Sequence, residues 1–193
     1  LIDPCPMAIA PQLGFVAGLA LLDAVCQVLR RTDGIALKWP NDLLVAGRKT
    51  AGLLLEGHAI RGGSLALVIG MGVNIAAVPP DAPYPTSSLR EIAPELDRET
   101  LFAALSETWI DRFDSWTRFG LAPTLADWSA RAAGLNEMVG VRLPDGDRRG
   151  RFKGLDPAGR MILDTASGPL VIDAGDLFFP RSVESEASGP APH

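Results

Sequence analysis

Cysteine is scarce in this sequence: Cys5 and Cys26 are the only two among 193 residues. They form no CxxC pair, and a chain of this length needs no covalent staples, so they read as ordinary thiols of a reducing compartment. Long apolar runs are missing too. The longest, Phe15 to Leu22, contains Gly18 and stops at Asp23, well short of the ~20 apolar residues that span a bilayer. No signal-peptide pattern is present. Positive charge is not in excess; 18 Lys and Arg stand against 23 Asp and Glu, a net charge of -5. That balance excludes an unaided grip on nucleic acid or on an anionic membrane, both of which need basic residues gathered on one face. A cytoplasmic location is expected, with no nucleic acid and no membrane as partner through this chain. Histidine is as scarce as cysteine, and His58 has no second ligand at a metal-binding spacing, which argues against a metal role.

What is present is a chain that is 47% apolar and long enough to bury on the order of 70% of its unfolded surface in one or two domains. From Gln12 to Arg31 apolar residues recur every three or four positions, predicting a helix with one buried face. Pro11 suits its start, and Arg30 and Arg31 suit its negative end. Ile35 to Leu37, Asp42 to Val45, Thr50 to Leu55 and Leu65 to Met71 are short apolar runs bounded by turn residues, predicting consecutive strands with a hairpin at Ala46-Gly47 and a turn at Gly62-Gly63. Four prolines between Pro79 and Pro85 make residues 77–87 a loop, placed to cover a ligand at the sheet end. Arg98 to Phe119, capped by Asp97 and stopped by Gly120, and Thr124 to Ala133 have helical spacing again. In them Trp109 and Trp116 read as core. After Met138 four or five short strands in fewer than fifty residues predict a small SH3-like barrel. The expected fold class is therefore α/β (α+β): a mixed, mostly antiparallel sheet with packed helices in residues 1–135, the barrel in 136–181, and a disordered tail in 182–193. The chain starts at Leu1 rather than Met, and Leu1 to Asp3 resembles the tail of a strand, which predicts that an N-terminal part has been removed.

Chemistry concentrates in three places. Lys38-Trp39-Pro40-Asn41-Asp42 gathers a cation, an amide and a carboxylate at a strand end, a set able to hold a triphosphate with a hydrated Mg²⁺. A polar turn over a core Trp39 is the plain alternative. Arg48-Lys49-Thr50-Ala51-Gly52 follows within one hairpin. There Lys49 could converge with Lys38, and two cations sharing a pocket call for an anion between them. The small Ala51 and Gly52 would let a ligand approach the backbone. Third, Gly70-Met71-Gly72-Val73-Asn74 ends an apolar strand with exposed amides and with an Asn able to both donate and accept, suiting a purine edge.

In this order the three segments resemble the catalytic core of biotin-protein ligases, the biotin-[acetyl-CoA-carboxylase] ligases. The pentapeptide Lys38 to Asp42 is the most specific of them, and the terminal barrel lies where that family carries its own. The resemblance implies a class II synthetase-like sheet. It also implies ATP, Mg²⁺ and biotin as ligands, and a biotin carboxyl carrier protein domain as the acceptor of biotin. It places Lys49 and Gly52 at biotin, with Lys49 also at the activated carboxyl. Lys38, Asn41 and Asp42 fall at the phosphates, with Asn41 and Asp42 serving Mg²⁺ through its hydration water. Gly70, Gly72 and Asn74 fall on the adenylate side. Catalysis would rest on Lys38 and Lys49. One departure is plain: the family's Gly/Arg-rich loop, which closes over biotin and phosphate, is not in this sequence. A lipoate-protein ligase and a non-catalytic ligand-binding relative are the alternatives, and an unpaired edge strand offers a route to homodimerisation.

Overall fold

The first helix forms because nearly every third or fourth residue from Leu13 to Val25 is apolar and fully enclosed. In the computed structural model, which describes residues 1–60 and 64–180, this is α1 (Gln12–Leu29). It ends two residues earlier than its spacing predicts. Arg30 turns left-handed, and its N–H reaches the carbonyls of Cys26 and Gln27. By length and composition α1 could cross a membrane, with a mean hydropathy of 1.7, which the interrupted apolar run did not suggest. Its buried face is instead the centre of the core, packed on the sheet and on two further helices.

The strands β1 (Ile35–Lys38), β2 (Asp42–Val45), β3 (Arg48–Ala59) and β4 (Leu65–Val73) make an antiparallel sheet in that order. The Ala46-Gly47 turn carries positive φ at both residues, as a two-residue hairpin demands. The strand β3 runs well past the predicted Leu55 because β4 pairs with it without interruption from Ala51 to Ala59. Gly62 and Gly63 lie outside the described residues, as does the predicted tail. Odd-numbered residues of the sheet, Leu37, Leu43, Ala51 and Leu53, face α1 and are buried. Even-numbered ones face away from it. Leu1 and Asp3 exchange backbone hydrogen bonds with Leu65 and Leu67 at the outer edge of β4.

Helices α2 (Arg98–Phe119) and α3 (Leu121–Ala130) pack on α1. Asp97 caps α2 by accepting from the Thr100 N–H at 2.7 Å. Trp116 is buried, and its indole N–H donates to Gln12. The helix α3 starts and ends about three residues before its predicted bounds, since Gly120 serves as the stop of α2 and the start of α3 at once. The strands β5 (Met138–Leu143), β6 (Gly146–Leu155), β7 (Met161–Thr165), β8 (Gly168–Ile172) and β9 (Asp176–Phe178) then form the small SH3-like barrel, ordered β8-β7-β6-β5-β9. Trp39 ties it to the first sheet: the ring is 1% exposed, and its N–H donates to the carbonyl of Gly159 at 3.3 Å. That contact holds one end of the barrel beside the Lys38 to Asp42 turn.

Candidate active site

Cross-strand register puts four of the predicted residues in one row. Lys38 pairs with Asp42, Asp42 with Gly52, and Gly52 with Gly72, so all four share the face turned away from α1. Gly70 lies on that face one step along β4, opposite Leu54.

Lys49 needs a different explanation. Strict alternation along β3 would point it to the opposite side from Gly52, into the α1 core. The pairing shifts between Leu43 and Leu44: Ala51 opposes Leu43, yet Lys49 opposes Leu44, leaving Thr50 as an extra residue. This bulge turns Lys49 back to the face of Asp42. Thr50 is fully buried, and its hydroxyl lies 2.7 Å from that of Ser87. Beyond the end of β4 the proline loop takes over the ladder. The Lys49 N–H donates to Pro85, and the Ser87 N–H donates back to the Lys49 carbonyl. The bulge is thus locked from both sides.

The two lysines meet on one carboxylate. Lys49 Nζ lies 2.6 Å from Asp42 Oδ1, and Lys38 Nζ lies 3.0 Å from Asp42 Oδ2. Asp42 is only 5% exposed. From the barrel, Asp176 Oδ1 accepts from Lys38 at 3.1 Å, and its other oxygen accepts from Arg142 at 3.1 Å. The result is a chain of alternating charges running Lys49, Asp42, Lys38, Asp176, Arg142. Burial alone would lower the pKa of Lys49. The hydrogen bond and charge of Asp42, with the Tyr84 hydroxyl adding to them, outweigh it and raise Lys49 above the ordinary lysine range. Lys49 is therefore an ammonium throughout neutral pH, suited to stabilise developing negative charge and unsuited to act as a base. The Tyr84 ring centroid lies 4.9 Å from the same ammonium. These groups border a cavity of about 590 Å³ lined by Lys38, Lys49, Tyr84, Arg142, Asp176 and Phe178. A larger groove of about 680 Å³ between β4 and α2 is apolar and holds none of the charged residues of the motifs. The smaller one holds the cations that an anionic ligand would need.

Gly52 matters because of what it leaves out. A Cβ there would stand 3.3 Å from Lys49 Nζ and 3.4 Å from Asp42 Oδ1. Gly52→Val is therefore expected to push the Lys49 terminus off Asp42 without unfolding the sheet. Any reaction that depends on that ammonium should slow by about 10²-fold, as for a reacting group displaced by an ångström, and the urea midpoint should barely move.

The two asparagines do not join the cation cluster in the way their chemistry predicts. The Asn41 amide donates to the Leu53 carbonyl at 2.7 Å, while the Asn41 carbonyl accepts from the Leu53 N–H, clamping the Pro40 turn to β3. The Asn74 amide donates to the Ser87 carbonyl at 3.2 Å, and its backbone N–H donates to Thr50, anchoring the end of the proline loop. The donor set also does not fit a resident Mg²⁺ on Asn41 and Asp42. Both oxygens of Asp42 hold ammonium groups, and among the described residues no three His, Cys, Asp or Glu side chains gather. A divalent ion here would have to arrive already held by an anionic ligand. The sequence reading missed Tyr84, Arg142 and Asp176. Tyr84 could have been found, being the only tyrosine in the chain and set inside the proline run. The barrel pair carries no local signal at all.

The sheet that carries the two lysines and the barrel that closes it each match the model of a ligase family. The model described as the biotin/lipoate A/B protein ligase family matches residues 4–74, and that of the biotin protein ligase C terminal domain matches residues 134–179. The chain belongs to the biotin protein ligase family. It is 38% identical over 179 residues to the biotin--[acetyl-CoA-carboxylase] ligase of Paracoccus denitrificans, covering 88% of this chain and 73% of that protein. It is 28% identical over 178 residues to the bifunctional ligase/repressor BirA of Bacillus subtilis, covering 89% of this chain and 54% of the relative. In fold it matches the biotin protein ligase of Aquifex aeolicus in complex with biotin and ATP. The TM-score is 0.73 at 23% identity, covering 86% of this chain and 70% of the other.

Proposed function

We propose that this chain is a biotin-protein ligase that converts biotin and ATP into biotinyl-5′-AMP and pyrophosphate, then transfers biotin to a lysine of a biotin carboxyl carrier protein domain in the cytoplasm. The observation that carries this reading is the convergence of Lys38 and Lys49 on Asp42 beside a nucleotide-sized cavity. In the first step a biotin carboxylate oxygen attacks the α-phosphorus, and the bond to pyrophosphate breaks. In the second, the acceptor amine attacks the acyl carbon, AMP leaves, and the amine proton passes to solvent. Neither step requires a protein nucleophile. Positioning and charge stabilisation suffice.

In this reading Lys49 lies at the biotin carboxylate and α-phosphate, over the bare surface of Gly52, and Lys38 serves the outgoing phosphates. Asp42 holds both ammonium groups apart and in place until an anion enters. Gly70 and Gly72 leave the face of β4 open to the adenylate, with Asn74 and Asn41 framing the site through the backbone they clamp. Residues 1–135 carry the chemistry, and residues 136–181 close over it through Asp176 and Arg142. The expected result is an avidin-reactive carrier domain after incubation with the protein, MgATP and biotin. Lipoylation, or ligand binding without transfer, would leave the blot blank and remove the proposal.

A further inference from the structure

The outer face of the barrel holds a basic stripe that the adenylation site does not use. Along β6, Gly150 and Phe152 point inward and are buried, while Arg149, Arg151 and Lys153 are exposed. Lys153 is the extra residue where the β6 register against β7 shifts. Among the described residues these three make no ion pair within 4.0 Å, although most other cations of the chain do. Arg151 donates to the Asn136 carbonyl at 2.6 Å; Arg149 and Lys153 have no hydrogen-bond partner among the described side chains.

The stripe is continuous with the active-site cavity. Arg149 pairs across to Gly140, and Gly140 pairs to Phe178, which lines the cavity. One row further along, Asp147 pairs to Arg142, and Arg142 pairs to Asp176. Arg149 thus stands two strands, about 10 Å, from the wall of the cavity and on the same outer face. In a chain with a net charge of -5, leaving three adjacent cations unpaired beside the reaction site is a marked local excess.

We propose that Arg149, Arg151 and Lys153 form a docking surface for an acidic face of the acceptor protein, guiding its lysine toward the cavity. This rests on the ligase reading and adds the chemistry of the partner to it. A protein is favoured over a nucleic acid because carboxylates are interleaved with the stripe. Asp164 lies opposite Arg151 and Asp147 lies along the same strand, where they would repel a phosphate backbone, whereas a protein surface can present both signs. Exposed Met138, opposite Arg151, adds an apolar contact that suits a protein partner.

The test separates the two half-reactions. Arg149→Glu combined with Lys153→Glu changes two exposed side chains that hold nothing else in place, and should leave biotin-dependent pyrophosphate exchange unchanged. Transfer to the carrier domain should fall by about 10-fold or more in kcat/KM, through KM, and the transfer rate should lose most of its salt dependence. Arg149→Lys should keep near-normal transfer. Normal exchange with unchanged transfer in the double variant overturns the docking surface alone. So does duplex-oligonucleotide binding that the double variant abolishes while transfer is kept. Absence of exchange in the unmodified protein overturns the ligase reading and the docking with it.

Discussion

Replacing Lys49 with alanine is expected to reduce biotinyl-adenylate formation by about 10²–10³-fold, the usual cost of removing one preorganised donor from a site of developing negative charge. The fold should survive. Lys49 is a quarter exposed, and Asp42 retains Lys38 as a partner at 3.0 Å. The measurement is biotin-dependent exchange of pyrophosphate into ATP, with the urea midpoint followed alongside. The loss should appear in kcat, because the ammonium is worth most where charge builds on the α-phosphate. Lys49→Arg should recover little, since a planar guanidinium cannot fit the narrow space over Gly52. Normal exchange in Lys49→Ala would remove Lys49 from the chemistry.

Asp42→Ala should damage stability and activity together. Asp42 is the one carboxylate between two ammonium groups, and its side chain is 6% exposed. Removing it leaves two like charges facing each other, with only Asp176 on Lys38 to compensate them. Deleting one partner of a buried pair costs about 3–5 kcal/mol; Lys38 and Lys49 keep some contact with water, so the lower end of that range is expected. A urea midpoint measures it. A further signature follows from the site's architecture. Pyrophosphate should raise the melting temperature of the variant more than that of the unmodified protein, because an anion would take over the missing charge. A deficit that is the same with and without pyrophosphate would argue against a phosphate site between these lysines.

How much of this was legible in the sequence depends on the range of the interactions. The Lys38 to Asp42 turn, the hairpin glycine and the Gly70/Gly72 strand end are local patterns, and period-two alternation places most of them on one face. The helices were legible too, to within about three residues, because apolar spacing and caps are local. Lys49 was recognisable as a site residue only from its neighbours; alternation alone would have assigned it to the core side. Its true direction depends on Thr50 being skipped in the pairing and held by Ser87, nearly forty residues away. Asp176 and Arg142 reach Lys38 only after the barrel docks through Trp39 and Gly159. No pattern within either segment announces that meeting. The asparagines failed in the other direction: their chemistry suits a nucleotide, but the backbone around them needed their amides first.

The skipped pairing at Thr50 makes the direction of the Lys49 ammonium a matter of counting. Were Thr50 drawn into the ladder opposite Leu44, Lys49 would fall opposite the buried Val45 and turn toward α1, away from the cavity. Deleting Thr50 would instead regularise the ladder and leave Lys49 on its present face, whereas inserting one paired residue beside it could leave a stable sheet with the charge on the wrong side.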